Sequence, residues 1–425
     1  MIKIIITALF LLLISCSDNS SPRQLEAPIE LATRLLQNAI DESPGALHLK
    51  RGTYLIDRPL FIRRSGMRIV GEGRDTIIRA TSASFHLVRV EADSFELKQL
   101  SLEGAAVDES SEQYGVFTEQ GKTGQNGNVE HVFFTGPKEG VGLNSGLVLD
   151  GANGWTISDN RFDRLVGFSS GRGYGILLRP GSQNLISNNY FTGSQFGGRH
   201  AIYLSRSSSD NLVVHNLVTG YSNTSISQYA YDWQPGNFRN RISSNLILNQ
   251  NSGPNGSAGI DIHGNAGNHL IEGNFISGTQ APGILLRSTK PSELVTETVI
   301  KDNIVENTPY PGIVILGAKR TTVEGNVLRD TGLSEKQDYP GLLVGAFLGS
   351  SADRTIITNN SIFGDRHRAA ITLNATTPVP TATTITFNYL EPGPLGQIEL
   401  NGILAVAAGN HPQGPGPFKL PAVGR

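Results

Sequence analysis

The first strong periodicity lies near the N-terminus. In "PIELATRLLQNAIDESPG", apolar residues fall at Leu31, Ala32, Leu35, Leu36, Ala39 and Ile40, the i, i+3, i+4 spacing of an amphipathic helix. Pro44 and Gly45 close the pattern, so a helix is expected over residues 28–43. Beyond Gly45 the period becomes two, in short runs such as "TYLI", "MRIV" and "TIIR". Runs of this kind are strands that bury one face.

A longer period organises the strands. The phrase x-x-Asn-apolar-apolar recurs at Asn160, Asn189, Asn216, Asn245, Asn274, Asn303, Asn326, Asn360 and Asn388, spaced 23 to 34 residues apart. A second phrase, a small residue followed by apolar-x-apolar, falls between them: "GILL", "AIYL", "GIDI", "GIVI", "GLLV", "AITL". One such repeat cannot bury its apolar face alone, whereas stacked repeats can. Strands stack at about 4.8 Å, and asparagines held in register at one turn form an amide ladder. The reading is a parallel β-solenoid of about ten coils whose N-terminal end is covered by the helix. The Leu-x-x-Leu-x-Leu consensus of leucine-rich repeats is missing, and no blade signature of a propeller is present.

The stretch "GTYLIDRPLFIRRSGMRIVGEGRDTIIRA" resembles the opening of proteins of the pectate-lyase superfamily. There Gly-x-Tyr begins a first coil and Gly-x-Gly-x-x-Thr-x-Ile marks the next turn. The resemblance covers residues 28–410 and implies an all-β, single right-handed parallel β-helix with an N-terminal capping helix. This fold carries lyases, hydrolases, epimerases, tailspikes and adhesins, so function has to be argued from a site.

Composition narrows the class. Of 425 residues, 38% are hydrophobic and 17% charged, with a formal net charge of −2, which argues against a nucleic-acid partner. The 49 glycines follow no Gly-X-Y period and fit many tight turns. Lys3 and the apolar run over residues 4–14 have the form of an export signal too short to span a bilayer comfortably. The sole cysteine, Cys16, follows "LIS" and resembles the lipobox of bacterial lipoproteins. That resemblance implies lipidation at Cys16 and, with Ser17 as second mature residue, sorting to the outer membrane. The alternative is a plain secretory signal and a periplasmic or secreted protein. The domain reading is a signal over 1–16, a tether over 17–27, the β-helix over 28–410 and a tail over 411–425, in a monomer.

Counting back 14 residues from successive asparagines aligns Ile202, Tyr231 and Ile260 as one inward column, with Leu204, Trp233 and Ile262 as the next. Alternation then points Tyr203, Asp232 and Asp261 outward in one column and Ser205, Gln234 and His263 in another. Matching "GILLR" to "GIDIH" adds Arg287. Small residues at Ala201, Ala230, Gly259 and Gly283, beside His200, Tyr229 and Ala258, would leave a floor that a polymer could approach. One face thus gathers His200, Tyr229, Asp232, Asp261, His263 and Arg287.

Such a cluster suits removal of the C5 proton of a uronate sugar. Arg287 would clamp the carboxylate, His263 or His200 would act as base, and Tyr229 as acid, with Asp261 supporting them. Asp232, Tyr203, Gln234, Arg206 and Arg179 would bind substrate. "AGIDIH" also resembles the Tyr-Gly-Phe-Asp-Pro-His motif of mannuronan C5-epimerases and related alginate lyases, which implies working roles for Asp261 and His263. Ile262 replaces the motif's proline and Ala258 its tyrosine, and Tyr229 on the preceding coil is the expected substitute. The expectation is a lyase acting on an acidic exopolysaccharide, such as a biofilm matrix or alginate-like polymer. Three alternatives stand beside it. One is a C5-epimerase. Another is a glycoside hydrolase using Asp232 and Asp261 as paired carboxylates, which could equally hold Ca²⁺. The third is a non-catalytic polysaccharide-binding or adhesin solenoid.

Overall fold

The computed structural model describes residues 23–25, 32–105, 112–138, 141–163, 165–167, 173–193, 199–221, 223–230, 236–250, 258–333, 339–364, 367–374, 378–392, 396–401 and 405–411. The proposed signal, with Cys16, lies outside them. Among the described residues no helix is long and apolar enough to cross a membrane.

The chain winds as a parallel β-solenoid. Each coil gives one strand to a 13-stranded sheet running from Leu60–Ile62 to Ile398–Leu400, here termed the groove sheet. Nearly all the remaining strands join a larger 26-stranded sheet, and Asn237–Phe238, Ala266–Gly267 and Val295–Thr296 form a small three-stranded one. Thirteen strands exceed the expected ten or so coils, because the coils before Asn160 lack the asparagine phrase and escape the count. The core is a continuous column of fully buried Ile, Leu, Val and Phe that includes Ile202, Ile226, Ile260, Ile284 and Ile313.

The N-terminal helix spans Thr33–Glu42 and buries Thr33, Leu36, Ala39 and Ile40, while Leu35 is exposed. It packs against the strands of the first coil, consistent with a cap over the open apolar end. Three residues of the segment expected as a tether, Arg23–Leu25, form a strand parallel to Ala46–Leu49.

The asparagine ladder forms as the repeats imply. Asn189 donates from Nδ2 to Asn216 Oδ1 at 3.0 Å and to the Ile157 carbonyl at 2.8 Å, and its own Oδ1 accepts from the backbone N–H and Nδ2 of Asn160. The same pattern runs through Asn388 and adds Asn410. Its local cause is the residue before each asparagine, which adopts a left-handed backbone: Asp159 at φ 57°, Asn188 at 55°, His215 at 57° and Gly273 at 61°. That bend turns the chain sharply and leaves a backbone N–H for the neighbouring amide to satisfy. A second, shorter ladder links Asn184, Asn211 and Asn240 and ends on His269, whose Nδ1 accepts from the Asn240 N–H at 3.2 Å.

The small-residue column does not form a floor under a polymer. A Cβ at Gly146 would stand 2.4 Å from the Phe162 ring, one at Gly175 2.5 Å from Phe191, and one at Gly283 2.3 Å from Val305. The glycines face the core, where they make room for stacked Phe134, Phe162 and Phe191, with centroids 4.7 and 4.5 Å apart.

Candidate active site

The site strands are Tyr174–Leu178, His200–Ser205, Thr224–Ala230, Ile260–Gly264 and Ile284–Arg287. Their register corrects one coil of the sequence alignment. Ile226, not Tyr231, pairs with Ile202 and Ile260. Ile226 precedes Asn245 by 19 residues, against 14 for Ile202 and Asn216, so the extra length of this coil follows its groove strand. Ser227 therefore occupies the place assigned to Asp232, between Tyr203 and Asp261. Gln228 takes the inward place assigned to Trp233, and Tyr229 the place assigned to Gln234, between Ser205 and His263. Thr224, not Tyr229, sits beside His200, and Ala230 falls beside Gly264 rather than in the small-residue column. Tyr231, Asp232, Trp233 and Gln234 lie outside the described residues. With Ser227 and Leu285 flanking Asp261 in its column, the register no longer supports a carboxylate pair on adjacent coils. The match of Arg287 to His263 holds.

These strands line a cleft of about 310 Å³ that brings together His200, Tyr203, Tyr229, Asp261, His263, Arg287, Arg179 and Arg206. It also gathers Tyr174, Arg199, Asn223 and Ser227. Arg199 and Asn223 end the loops that enter their strands, where no alternating pattern selects them.

The centre of the cleft is an acid, a base and a cation in close contact. Asp261 is 2% exposed, and its Oδ2 accepts from Arg287 Nη2 at 2.9 Å. Its Oδ1 is buried without a hydrogen-bond partner among the described residues. His263 Nε2 lies 3.9 Å from the same Oδ2, too far for a hydrogen bond. The His263 ring stacks on Tyr229, with centroids 4.3 Å apart and planes at 20°. Burial pushes the His263 imidazole down to about 4, with Arg287 and Arg199 adding to the effect and Asp261 opposing it. His200 is driven well below the ordinary histidine value, first by burial and then by Arg199 and His263. Its Nδ1 is buried without a hydrogen-bond partner among the described residues, and its ring lies 4.9 Å from Tyr203 and 5.8 Å from Tyr174. Both imidazoles are therefore neutral near pH 7.

Four arginines line the cleft against one carboxylate among the described lining residues. Arg179 is held by Asp150, outside the cleft, through two bonds of 2.6 and 3.0 Å, so its charge is compensated. Arg287 keeps 27% side-chain exposure after pairing with Asp261, enough to offer further N–H groups to a ligand. No group of three or more His, Cys, Asp or Glu among the described residues is placed to hold a metal ion. His269, which the sequence leaves unassigned, belongs to the core ladder, with Nε2 2.6 Å from Gln228 Nε2.

Comparison with solved structures places this architecture. The Dettilon tailspike protein superposes with a TM-score of 0.63 at 16% identity, covering 89% of this chain and 68% of its own. The catalytic unit of a GH87 α-1,3-glucanase from Streptomyces thermodiastaticus gives 0.61 at 16% identity, covering 93% and 69%. A mannuronan C-5 epimerase A-module from Azotobacter vinelandii gives 0.49 at 14% identity, covering 91% and 95%. A search of curated proteins finds no match. A family model described as the right-handed β-helix region matches residues 96–235 and 145–362. With that match spanning more than half of a chain whose strands stack coil on coil, the protein belongs to the right-handed β-helix family.

Proposed function

We propose that this protein is a polysaccharide lyase that cleaves an acidic, uronate-containing polymer by β-elimination. The observation that carries the reading is the charge pattern of the cleft. Neutral His263 and His200 stand among arginines, and the one carboxylate of the described lining, Asp261, is engaged by Arg287. A glycosidase needs two carboxyl groups flanking the bond. An elimination needs a base for the C5 proton, an acid for the leaving oxygen and positive charge at the sugar carboxylate.

Arg287, oriented by Asp261, receives that carboxylate and stabilises negative charge as the C5 proton leaves. His263 takes the proton, and Tyr229 delivers one to the glycosidic oxygen. Their rings lie against each other on adjacent coils, so both address one face of a bound sugar. This favours elimination over epimerisation, in which the proton returns from the opposite face. An α-1,3-glucanase on a similar fold supports a polysaccharide as the substrate class. The N-terminal sequence supports an exported lipoprotein anchored through Cys16.

The test is ultraviolet absorbance of the C4–C5 double bond during digestion of a panel of uronate polymers, with deuterium incorporation at C5 followed in parallel. Unsaturated product supports the lyase. Exchange without chain shortening points to the epimerase, and saturated fragments to a hydrolase.

A further inference from the structure

The cleft occupies only part of the groove sheet, and the sheet differs on its two sides. Toward the C-terminal end the outward columns read Leu285, Val314 and Leu343 after Asp261, and Leu316 and Gly345 after Arg287. Leu285 and Val314 are buried with Ala258, and Leu316 and Leu343 partly so, in an aliphatic cluster that offers a sugar neither hydrogen bonds nor a flat ring. Toward the N-terminal end the column of Asp261 passes through Ser227, Tyr203, Leu177 and Val148 to Phe117. Phe117, Tyr174 and Tyr203 are half-buried and pack against buried Tyr114, Val148 and Leu177. Beyond them His86 stacks on Tyr114 at 4.1 Å and 5° and lies 4.8 Å from Phe117. The His86 ring is half-buried, and its Nδ1 has no hydrogen-bond partner among the described residues. A row of partly exposed rings thus continues these outward columns toward the N-terminal end, whereas Tyr310 and Tyr339 on the other side stand outside the columns, before their strands.

The two arginines along this row are already held by carboxylates. Arg89 pairs with Glu91 and Glu119, Arg179 with Asp150, and Tyr114 donates to Glu112. The row therefore binds through ring faces rather than through net charge, unlike the arginine-rich cleft.

We infer that the ring row from Tyr174 to Phe117 and His86 is a set of outer sugar-binding subsites, and that the polymer extends from the cleft toward the N-terminal coils. The inference rests on the polysaccharide reading above and adds the direction and the length of chain engaged. Five coil steps separate Phe117 from Asp261, roughly 24 Å at the sheet spacing, and each step is close to the length of one sugar unit. Flat aromatic faces suit the C–H faces of pyranose rings. Binding there is insensitive to salt, whereas binding in the cleft is screened.

The test compares wild type with Phe117→Ala and Phe117→Trp on uronate oligosaccharides of three to eight units. The expected result is a loss in kcat/KM for Phe117→Ala that grows with chain length, reaching about tenfold once the chain is long enough to span the row. Phe117→Trp should restore it, and thermal melts should show that both variants are folded. A uniform loss at all lengths, or no loss for the octamer, overturns the inference. Affinity electrophoresis in gels cast with the same polymers, at low and high salt, serves if no unsaturated product is made. Weaker retardation of Phe117→Ala than of wild type at high salt then supports the subsites although the lyase reading has failed, and equal retardation overturns them.

Discussion

Replacing His263 with glutamine separates the electrostatic role of the imidazole from its packing. In the folded protein the ring titrates at about 4, against an ordinary 6.5, because it is buried beside Arg287 and Arg199. Above pH 6.5 it is neutral in both the folded and the unfolded chain, and stability does not depend on it. Below that, the unfolded chain takes a proton that the folded site refuses, so stability falls as pH falls, until the folded ring also protonates near 4. Each pH unit in that window costs about 1.4 kcal/mol, or about 2.7 kcal/mol by pH 4.5. Glutamine removes this loss but also removes the stack on Tyr229, worth about 1 kcal/mol. The variant should be less stable than wild type by about 1 kcal/mol at neutral pH and more stable by about 1.5 kcal/mol near pH 4.5. Denaturant unfolding of both proteins across this range measures the difference. His86 and His269, also depressed by burial, titrate in both proteins and cancel, whereas His200, which His263 also lowers, is relieved of that part in the variant and adds to its gain at low pH. A difference that stays flat with pH would falsify the claim that His263 is held neutral by its site.

Other outcomes follow from the same geometry. Arg287→Ala should lower kcat/KM about a hundredfold, with Arg287→Lys recovering only part because the fork is lost. Since Arg287 lowers the His263 value, the acid limb of the kcat/KM profile, expected near 4, should move upward in Arg287→Ala. An unmoved limb would mean that His263 is not the base. Asn274→Ala removes an amide that donates to the Ile242 carbonyl and Asn303 and accepts from Asn245. It should cost about 2–4 kcal/mol, read as a lower melting temperature, and more than Asn410→Ala, whose side chain is only partly buried at the last coil. Gly175→Ala forces a methyl to 2.4 Å from the Ala201 carbonyl and should destabilise by about 1–3 kcal/mol, visible in thermal unfolding.

The solenoid and its ladder were legible because they rest on local rules repeated many times. A bend residue before each asparagine recurs whatever the strand lengths, and Gly409 before Asn410 extends the series. The second ladder was equally present in the sequence, five residues before the first at Asn184, Asn211 and Asn240, but its last member is a histidine and the repetition hides there. The site was legible where coil length is constant. His200, Asp261 and His263 lie as counted from the repeats. Arg287 lies where the match of "GILLR" to "GIDIH" puts it, although Asn303 follows Ile284 by 19 residues, and Tyr229 reaches the same cleft by another register. Counting back from an asparagine assumes that extra residues precede the groove strand. In the coil of Tyr229 they follow it, and the pattern "TSISQYAYDWQ" favours the wrong frame, because the true one turns Gln228 inward, where Asn240 and His269 of the second ladder satisfy its amide. The glycine column misled for a related reason. Small residues beside a polar cluster read as open floor, whereas phenylalanines two strands away fill the space from the core side.

The burial of Asp261 is the feature hardest to explain by folding alone. Its column is apolar on the next coils, with Leu285, Val314 and Leu343 in equivalent places, so a leucine would continue the pattern without a charge to satisfy. Instead a carboxylate sits 2% exposed with one oxygen on Arg287 and the other without a hydrogen-bond partner among the described residues. Leaving such an acceptor buried and unmade costs on the order of 1–3 kcal/mol. The cost falls at the coil where a guanidinium must be aimed into a cleft already crowded with positive charge. Without Asp261, Arg287 would be repelled by Arg199 and Arg206 and free to turn toward solvent. With it, the fork is fixed on one side and open on the other, beside an imidazole kept neutral by the same burial. In the proposed mechanism, stability is given up at one residue so that the cation Arg287 and the base His263 hold a common geometry before substrate arrives.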